Sequence, residues 1–490
     1  MLTHRFFLLV TVFLNVLASA AVAAQKPPNI LLILSDDHSA PHLGCYGNAD
    51  IRTPALDKLA SQGMRFNRAY TTAPQCVPSR ASILTGRHPI DIGMTRFSAA
   101  LPRDVEMFPE KLRREANYFA GLCGRSYHLD GNGYNNPAIA PHLAEVDKPN
   151  VATRLDYVGV APEGLKRRAV TIEQFEEFLS KIPQGRPFFL QLCWGDPHRP
   201  LTDEELPYHH DPAKIALPAF YPDAPPMRKM LAAYYDEIGR MDGDTGRVLS
   251  MLEEHGLADD TIVIFMGDNG ASQLRGKGTL NEFGIHVPLI IRWPGVVQAR
   301  ASCDKLISGD DLAPTLLQAA GLKPAENFTG VTFLPELRGD AGFEGRKELI
   351  CERGPHASGL PRGSASFDLG RVIVTDRYKL IYNVTWQLPY QPVDFNLKEM
   401  QALSDAGQLD KKFVDLYLAP QRPMFELYDL KDDPHEMTNL AGKGRPTRVI
   451  EDDLKGRLAA WQIHHRDFVP LATGGGGGGK LNTKSAAEVE

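Results

Sequence analysis

Residues 29–37 read NILLILSDD, an apolar run of strand length that ends in the carboxylates Asp36 and Asp37. Two later stretches repeat this pattern: residues 188–194 precede Asp196-Pro197-His198, and residues 261–266 precede Gly267-Asp268-Asn269-Gly270. Runs that are apolar throughout are typical of buried, mostly parallel strands. In open α/β sheets ligands bind beyond the carboxyl ends of the strands. We therefore expect the three polar clusters to converge on one site.

Helical patterns lie between the strands, most clearly where apolar residues recur at three- and four-residue steps over residues 234–252. The sequence predicts an α/β fold with a large, mostly parallel sheet sandwiched by helices. A further strand is expected at residues 287–292, near a sheet edge because it contains Pro288.

The pattern changes after about residue 340. Residues 371–374 and 378–382 are typical of paired strands, residues 425–430 of another strand, and residues 451–464 of a closing helix. This predicts a smaller α+β subdomain built on an antiparallel sheet. The expected organisation is a signal peptide over 1–24, a catalytic domain over 25–340, a C-terminal subdomain over 341–466 and a flexible tail over 467–490, which contains six consecutive glycines.

Composition and charge restrict the possible partners. The chain has 490 residues, of which 43% are hydrophobic and 23% are charged, as in ordinary globular proteins. Its formal net charge of −6 provides no basic field for nucleic acid, so no nucleic-acid partner is expected. Any acidic substrate must be bound by local cations.

The N-terminus is typical of a secretory signal. A short start with Arg5 precedes an apolar stretch over residues 6–17 and an A-x-A cleavage pattern at residues 21–23. The stretch is short for a span of about 20 residues, although a retained anchor is the alternative. We expect export to the periplasm or the extracellular space, or to the lysosome in a eukaryote, without stable membrane insertion after cleavage. The six cysteines are widely spaced and form no disulfide or zinc pattern.

Cys76 lies in the stretch QCVPSRASILTGR, residues 75–87. Pro78 suits a first helical position and Gly86 suits the residue after a helix, so Cys76 is expected at or just before a helix N-terminus. There the free amides and the macrodipole favour an anion. Arg80, about one turn later, adds a forked cation that suits a tetrahedral oxyanion. The position is typical of a nucleophile that attacks an anion.

The strand ends supply hard oxygen ligands. Asp36, Asp37, Asp268 and Asn269 form an all-oxygen set that suits Ca²⁺, with Mg²⁺ also possible, rather than zinc. Solvated loop residues are the alternative for any one acidic pair. Two such clusters after buried strands, together with the cysteine helix, favour a metal site.

The ordered motifs resemble those of the type I sulfatases, within the alkaline phosphatase-like superfamily. Cys76-Val77-Pro78-Ser79-Arg80 with the following LTGR resembles the signature in which the cysteine becomes formylglycine. The Asp36-Asp37 pair, Asp268-Asn269-Gly270 and GKGTL at residues 276–280 follow in the order of that family. The resemblance is strong over residues 29–295. A later segment over residues 427–440 resembles the C-terminal subdomain of the family.

The resemblance implies a role for each matching residue. Formylglycine from Cys76, hydrated to a gem-diol, would attack sulfur with one hydroxyl and expel sulfate through the other, while the metal lowers the pKa of the nucleophile. Arg80 would hold that hydroxyl, His128 would be the base, His198 the acid for the leaving group, and Lys277 a ligand of sulfate. Arg125 stands where the family has lysine, a departure that leaves its role in doubt. The implied catalytic residues are Cys76, Arg80, Arg125, His128, His198 and Lys277; the implied metal ligands are Asp36, Asp37, Cys76, Asp268 and Asn269.

Longer stretches are similar to the heparan N-sulfatase branch of this family, among them residues 196–199, 234–246, 259–265 and 378–395. The expected substrate is the N-sulfate of glucosamine in heparan- or heparin-type glycans, and the expected partner is a formylglycine-generating or sulfatase-maturing enzyme. An O-sulfatase of another sulfated polysaccharide is the first alternative. A phosphodiesterase or phosphonate hydrolase is less favoured because those enzymes usually bind two metals and the sequence offers one oxygen set. A sugar-binding pseudo-sulfatase is the third. His356, Arg377 and Asp394 lie in the C-terminal unit and are interpreted as residues of solvent-facing loops; contact with the sugar is the alternative.

Overall fold

The computed structural model describes residues 26–97, 99–124, 126–129, 151–159, 167–202, 206–356, 367–395 and 397–473. The expected signal peptide, Arg125 and the glycine run of the tail lie outside these residues. No helix within them is long and apolar enough to span a bilayer.

Eight strands form the main sheet, in the order β5-β4-β6-β1-β7-β8-β2-β9. Their bounds are β1 Asn29–Ser35, β2 Met64–Phe66, β4 Phe119–Gly124, β5 Tyr157–Val158, β6 Phe188–Cys193, β7 Thr261–Gly267, β8 Leu289–Arg292 and β9 Ala301–Cys303. Strands β5, β4, β6, β1 and β7 run parallel, whereas β8 is antiparallel to both of its neighbours. Two short strands, β3 Ala69–Tyr70 and β10 Ile307–Ser308, pair separately.

The helices cover both faces of this sheet. Their bounds are α1 Pro54–Ser61, α2 Cys76–Thr85, α3 Phe108–Ala116, α4 Arg167–Lys181, α5 Pro225–Glu254, α6 Glu282–Ile285, α7 Leu312–Ala319 and α8 Leu334–Arg338. Alternate residues of β1 enter two separate cores: Ile30 and Leu32 pack with α2, α3 and α7, while Leu31 and Ile33 pack with α1, α4 and α5. A strand that is apolar throughout is therefore buried on both faces, as expected.

A second sheet follows in the C-terminal part, with four antiparallel strands in the order β11-β12-β13-β14. The elements are β11 Glu348–Arg353, β12 Gly370–Thr375, β13 Tyr378–Asn383, α9 Lys398–Asp405, α10 Lys411–Tyr417, β14 Phe425–Asp429 and α11 Arg445–His464. One face of this sheet packs on Tyr70, Leu280 and Ile285 of the first part, and the other is covered by Leu454 and Leu458 of α11. The fold class is confirmed, while the boundary near residue 340 stays a prediction.

Two local predictions were wrong. The strand expected at residues 287–292 lies inside the main sheet between β7 and β2, and not near its edge. Pro288 precedes the first residue of β8, so its missing N–H removes no hydrogen bond from the strand ladder. Helix α2 begins at Cys76, so Pro78 is its third residue and not its first; there, too, the helix needs no proline N–H.

Candidate active site

The ends of β1 and β7 bring two acidic pairs together. Ser35 and Gly267 are partners in the parallel ladder, so the residues that follow each strand emerge side by side. The backbone N–H of Asp37 donates to Asp268 Oδ1 at 3.0 Å. We call the carboxylates of Asp36, Asp37 and Asp268 the acidic cluster; all three side chains are fully buried.

Helix α2 places Cys76 against the acidic cluster. Gln75 has extended backbone, and Cys76 is the first helical residue, as expected. Its sulfur lies 3.4 Å from Asp36 Oδ1 and 3.8 Å from Asp37 Oδ1. Burial, and then the neighbouring carboxylates against the opposing effect of Lys277, hold the pKa of the Cys76 thiol well above its ordinary value. The unmodified side chain is therefore a neutral thiol and a poor nucleophile.

The cluster fits a divalent metal ion. Ligand atoms of Asp36, Asp37, Cys76 and Asp268 lie within 4.8 Å of one another. Asn269 donates from Nδ2 to Asp37 Oδ1 at 2.9 Å, while its buried Oδ1 has no hydrogen-bond partner within the described residues. Burial raises the pKa of Asp268 to about 6 despite Arg80, and the nearby carboxylates of Asp36 and Asp37 add to the effect, so three acidic groups share one buried site. An oxygen-binding cation would satisfy both the charge and the amide oxygen.

Arg80 adds unused donors beside Cys76. Its Nε donates to Asp268 Oδ2 at 2.9 Å, and Nη2 lies 3.7 Å from Asp36 Oδ2. Within the described residues neither Nη atom has a hydrogen-bond partner, although the side chain is buried. Buried, unused guanidinium donors suit a tetrahedral anion.

Lys277 and His198 lie on the other side of Asp37. The Lys277 ammonium is 3.0 Å from Asp37 Oδ1 and 2.7 Å from Asp394 Oδ2. Burial acts to lower the pKa of Lys277, but Asp37, Cys76 and Asp394 together raise it well above its ordinary value. His198 Nε2 is 3.7 Å from Asp37 Oδ2 and 3.5 Å from Asp394 Oδ2.

A second group of possible metal ligands, Asp37, His198 and Asp394, includes a histidine nitrogen and shares Asp37 with the acidic cluster, so it is not a second all-oxygen set. The ammonium of Lys277 already bridges its two carboxylates. Lys277 thus already neutralises the charge that a second metal ion would neutralise. In this respect the second group differs from the acidic cluster.

The remaining predicted residues lie around α2. His128 is buried on a 3₁₀ turn, Ser126–Leu129, and its ring meets Phe97 edge-on at 5.9 Å. Phe97 also contacts His356, at 4.4 Å between ring centroids, and His356 hydrogen-bonds Gln75. His128 is thus close to the start of α2. Arg125 lies outside the described residues.

The interpretation of three C-terminal residues as parts of solvent-facing loops was right for Arg377, which pairs with Asp429 and Asp432, and for Asp394, which is exposed in a loop although its carboxylate also contacts Lys277 and His198. It was wrong for His356, a half-buried residue whose pKa burial lowers to about 3. Asp394 has no motif around it, and the only signal was its place in a stretch similar to the N-sulfatase branch.

The sheet covered by helices on both faces, with this buried acidic cluster beside the cysteine at the start of α2, matches the architecture expected for the alkaline phosphatase-like class. Comparison with known proteins gives the family: the profile named Sulfatase matches residues 28–322, and one named N-sulphoglucosamine sulphohydrolase, C-terminal, matches residues 272–416. The chain belongs to the sulfatase family. It is accordingly a hydrolase of sulfate esters or sulfamates.

The similar proteins include sulfatases that are named for different substrates. An ulvan-active sulfatase of Formosa agariphila is 29% identical, over 89% of this chain and 74% of its own length. The human N-sulphoglucosamine sulphohydrolase is 28% identical, over 90% and 91%. A solved structure of BT4656 with D-glucosamine-2-N,6-O-disulfate has a TM-score of 0.66 at 20% identity, covering 90% of this chain and 99% of the other, and shows a shared fold.

Proposed function

We propose that this sulfatase removes the N-sulfate of glucosamine from heparan- or heparin-type glycans, using a formylglycine made from Cys76. The main support is the match of residues 272–416 to the C-terminal profile of N-sulphoglucosamine sulphohydrolase. That stretch contains Lys277 and Asp394, which lie together beside His198. The similarity therefore includes the side of the site where we place the leaving group.

Asp36, Asp37, Asp268 and Asn269 would hold the metal, for which Ca²⁺ is the first candidate and Mg²⁺ the second. When bound, the metal would offset sulfate charge and lower the pKa of the nucleophilic hydroxyl that formylglycine supplies. Production of this group requires a maturing enzyme, which we propose as the protein partner.

The chain's own cations would bind the sulfuryl group. The free Nη donors of Arg80 serve the nucleophile and the anion on one side, and the Lys277 ammonium serves sulfate and the leaving atom on the other. Fixed donors of this kind stabilise charge that develops in the transition state. His128, beside α2, is the proposed base for sulfate release, and Arg125 is retained as a further sulfate ligand by motif alone.

His198 would protonate the leaving nitrogen. Its Nδ1 faces the backbone carbonyl of Arg199 and its Nε2 faces the carboxylates of Asp37 and Asp394. Both ring nitrogens thus face acceptors, which favours the doubly protonated imidazolium. Burial opposes this charge, yet the carboxylates raise the pKa of His198 above its ordinary value. An amine leaves readily only when a proton is delivered to it, and we assign this delivery to Nε2.

The second candidate is an O-sulfatase of another sulfated polysaccharide, which the ulvan-active relative supports. Sulfate release from N-sulfoglucosamine and from 6-O-sulfated N-acetylglucosamine distinguishes the two candidates. The matured enzyme is compared with Cys76→Ala as the nucleophile-free control. We expect release from the N-sulfated sugar; release from the O-sulfated sugar alone would contradict the proposed specificity.

A further inference from the structure

Asp394 is held over the active site by the residue on its N-terminal side. The backbone N–H of Val393 donates to the carbonyl of Lys277 at 2.9 Å. Gly278, next along from Lys277, has φ +76°, and a Cβ on it would lie 2.3 Å from Val393 Cγ2. Only glycine permits this approach. The turn that carries Lys277 and the loop that carries Asp394 therefore form one closely packed unit.

Phe395, on the C-terminal side of Asp394, is held in place as well. The guanidinium of Arg199 lies 5.3 Å from the ring centroid of Phe395, and Arg199 directly follows His198. Asp394 itself has φ 57°, in the left-handed region that Asp and Asn tolerate best among residues with a side chain. Its neighbours thus attach it to both segments that supply the Lys277 and His198 side chains.

The carboxylate of Asp394 has one engaged oxygen and one available oxygen. Oδ2 accepts from Lys277 at 2.7 Å and lies 3.5 Å from His198 Nε2. Within the described residues no hydrogen bond reaches Oδ1, and 35% of the side chain is exposed. Burial opposes ionisation, but His198 and Lys277 hold the pKa of Asp394 well below its ordinary value, so the carboxylate is charged. A charged acceptor therefore lies at the mouth of the site, beside the two groups proposed for the leaving atom.

We propose that Asp394 determines specificity for nitrogen: its free oxygen accepts the N–H of a sulfamate and then pairs with the ammonium of the product. A sulfamate nitrogen carries a hydrogen that the bridging oxygen of a sulfate ester lacks. A site built to accept a donor discriminates against an analogue without one. This inference rests on the proposed function, because it uses the placement of the leaving atom beside Lys277 and His198.

Two measurements test this role. The first is calorimetric binding of glucosamine, with N-acetylglucosamine as the uncharged comparison. The second is the ratio of kcat/KM for N-sulfoglucosamine to that for 6-O-sulfated N-acetylglucosamine. Wild type, Asp394→Ala and Asp394→Asn are compared, the asparagine variant keeping the left-handed backbone preference. Asp376→Asn is the matched control, since Asp376 pairs with Arg68 at an exposed site.

We expect Asp394→Ala to weaken glucosamine binding and lower the kcat/KM ratio by 10- to 100-fold, which corresponds to about 1.4–2.7 kcal/mol and lies in the range of one charge-assisted hydrogen bond. Asp394→Asn should lose less, since a neutral acceptor remains, and Asp376→Asn should match wild type. Equal losses on both substrates, or unchanged glucosamine binding, would overturn the inference and leave Asp394 a positioning residue. Wild type inactive on N-sulfoglucosamine would instead refute the proposed function, independently of the variants.

Discussion

Replacing Gly278 with alanine tests how closely the turn that carries Lys277 must approach the Asp394 loop. The new Cβ would lie 2.3 Å from Val393 Cγ2 and 2.9 Å from Val393 Cβ, distances that real structures do not show. Gly278 also donates its N–H to the carbonyl of Pro74, two residues before Cys76. A displacement of this turn would therefore disturb both sides of the site.

The cost of Gly278→Ala has two parts. Alanine at φ +76° pays roughly 1–2 kcal/mol for the left-handed backbone. Overpacking against Val393 adds about 1–3 kcal/mol. The expected loss of folding free energy is therefore about 2–5 kcal/mol, together with a fall in kcat as Lys277 and Asp394 move apart.

Urea unfolding and sulfate release measure these two effects. Gly295→Ala is the matched control, because Gly295 has φ +74° and nothing within 4 Å of the position of its Cβ. The control should lose only the backbone part and keep its activity. Combining Gly278→Ala with Val393→Ala removes Cγ2 but keeps Cβ, so the combined loss should be about 1 kcal/mol smaller than the sum of the two single losses. Equal losses in Gly278→Ala and Gly295→Ala, with activity kept in both, would refute the reasoning.

Three further predictions concern the charged groups. Arg80→Lys keeps the charge but loses the Nε bond to Asp268 and the free Nη donors, so kcat should fall by about 10²–10³-fold. A fall of less than tenfold would contradict that role. The control is that calcium still raises the unfolding temperature of the variant, which shows that its metal site is intact. Chelation should abolish sulfate release and destabilise the fold by about 2.7 kcal/mol relative to calcium at 100 times its Kd, and calcium should restore both; full activity after exhaustive chelation would exclude the metal. Burial raises the pKa of Glu352 to about 8 against the opposing effect of Arg371. The folded state then binds this proton more tightly than the unfolded state, so stability falls as the pH rises from about 4.5 to about 8. Between pH 5 and pH 8 the free energy of unfolding should fall by on the order of 3 kcal/mol less in Glu352→Gln than in wild type, as measured by urea unfolding at the two pH values. An equal fall in both proteins would contradict this assignment.

Elements that are determined by a short local pattern were predictable from the sequence. The apolar runs around Leu32 and Ile264 became β1 and β7, whose order in the sheet placed Asp36 and Asp268 together. The left-handed conformation of Gly86 after α2 followed from its position after the last helical residue. In these cases one short stretch contains the physical cause.

The contacts of Asp394 depend on distant parts of the chain, which no local pattern encodes. Its carboxylate meets Lys277, more than a hundred positions earlier in the sequence, through a loop docked by Val393. The position of β8 between β7 and β2 was missed for the same reason. Pro288 restricts hydrogen bonding only at its own position and does not determine which strands pair with β8. Pairing between remote segments fixed both outcomes.

Peptide mass spectrometry across residue 76 shows whether formylglycine replaces Cys76. The protein should be isolated from its native host or produced with a sulfatase-maturing enzyme, and the peptide that contains Cys76 should be compared with that of protein produced without maturation. We expect sulfur to be replaced by an aldehyde oxygen at residue 76, and sulfate release from N-sulfoglucosamine to rise in proportion to the converted fraction. An intact cysteine in fully active protein would contradict this expectation.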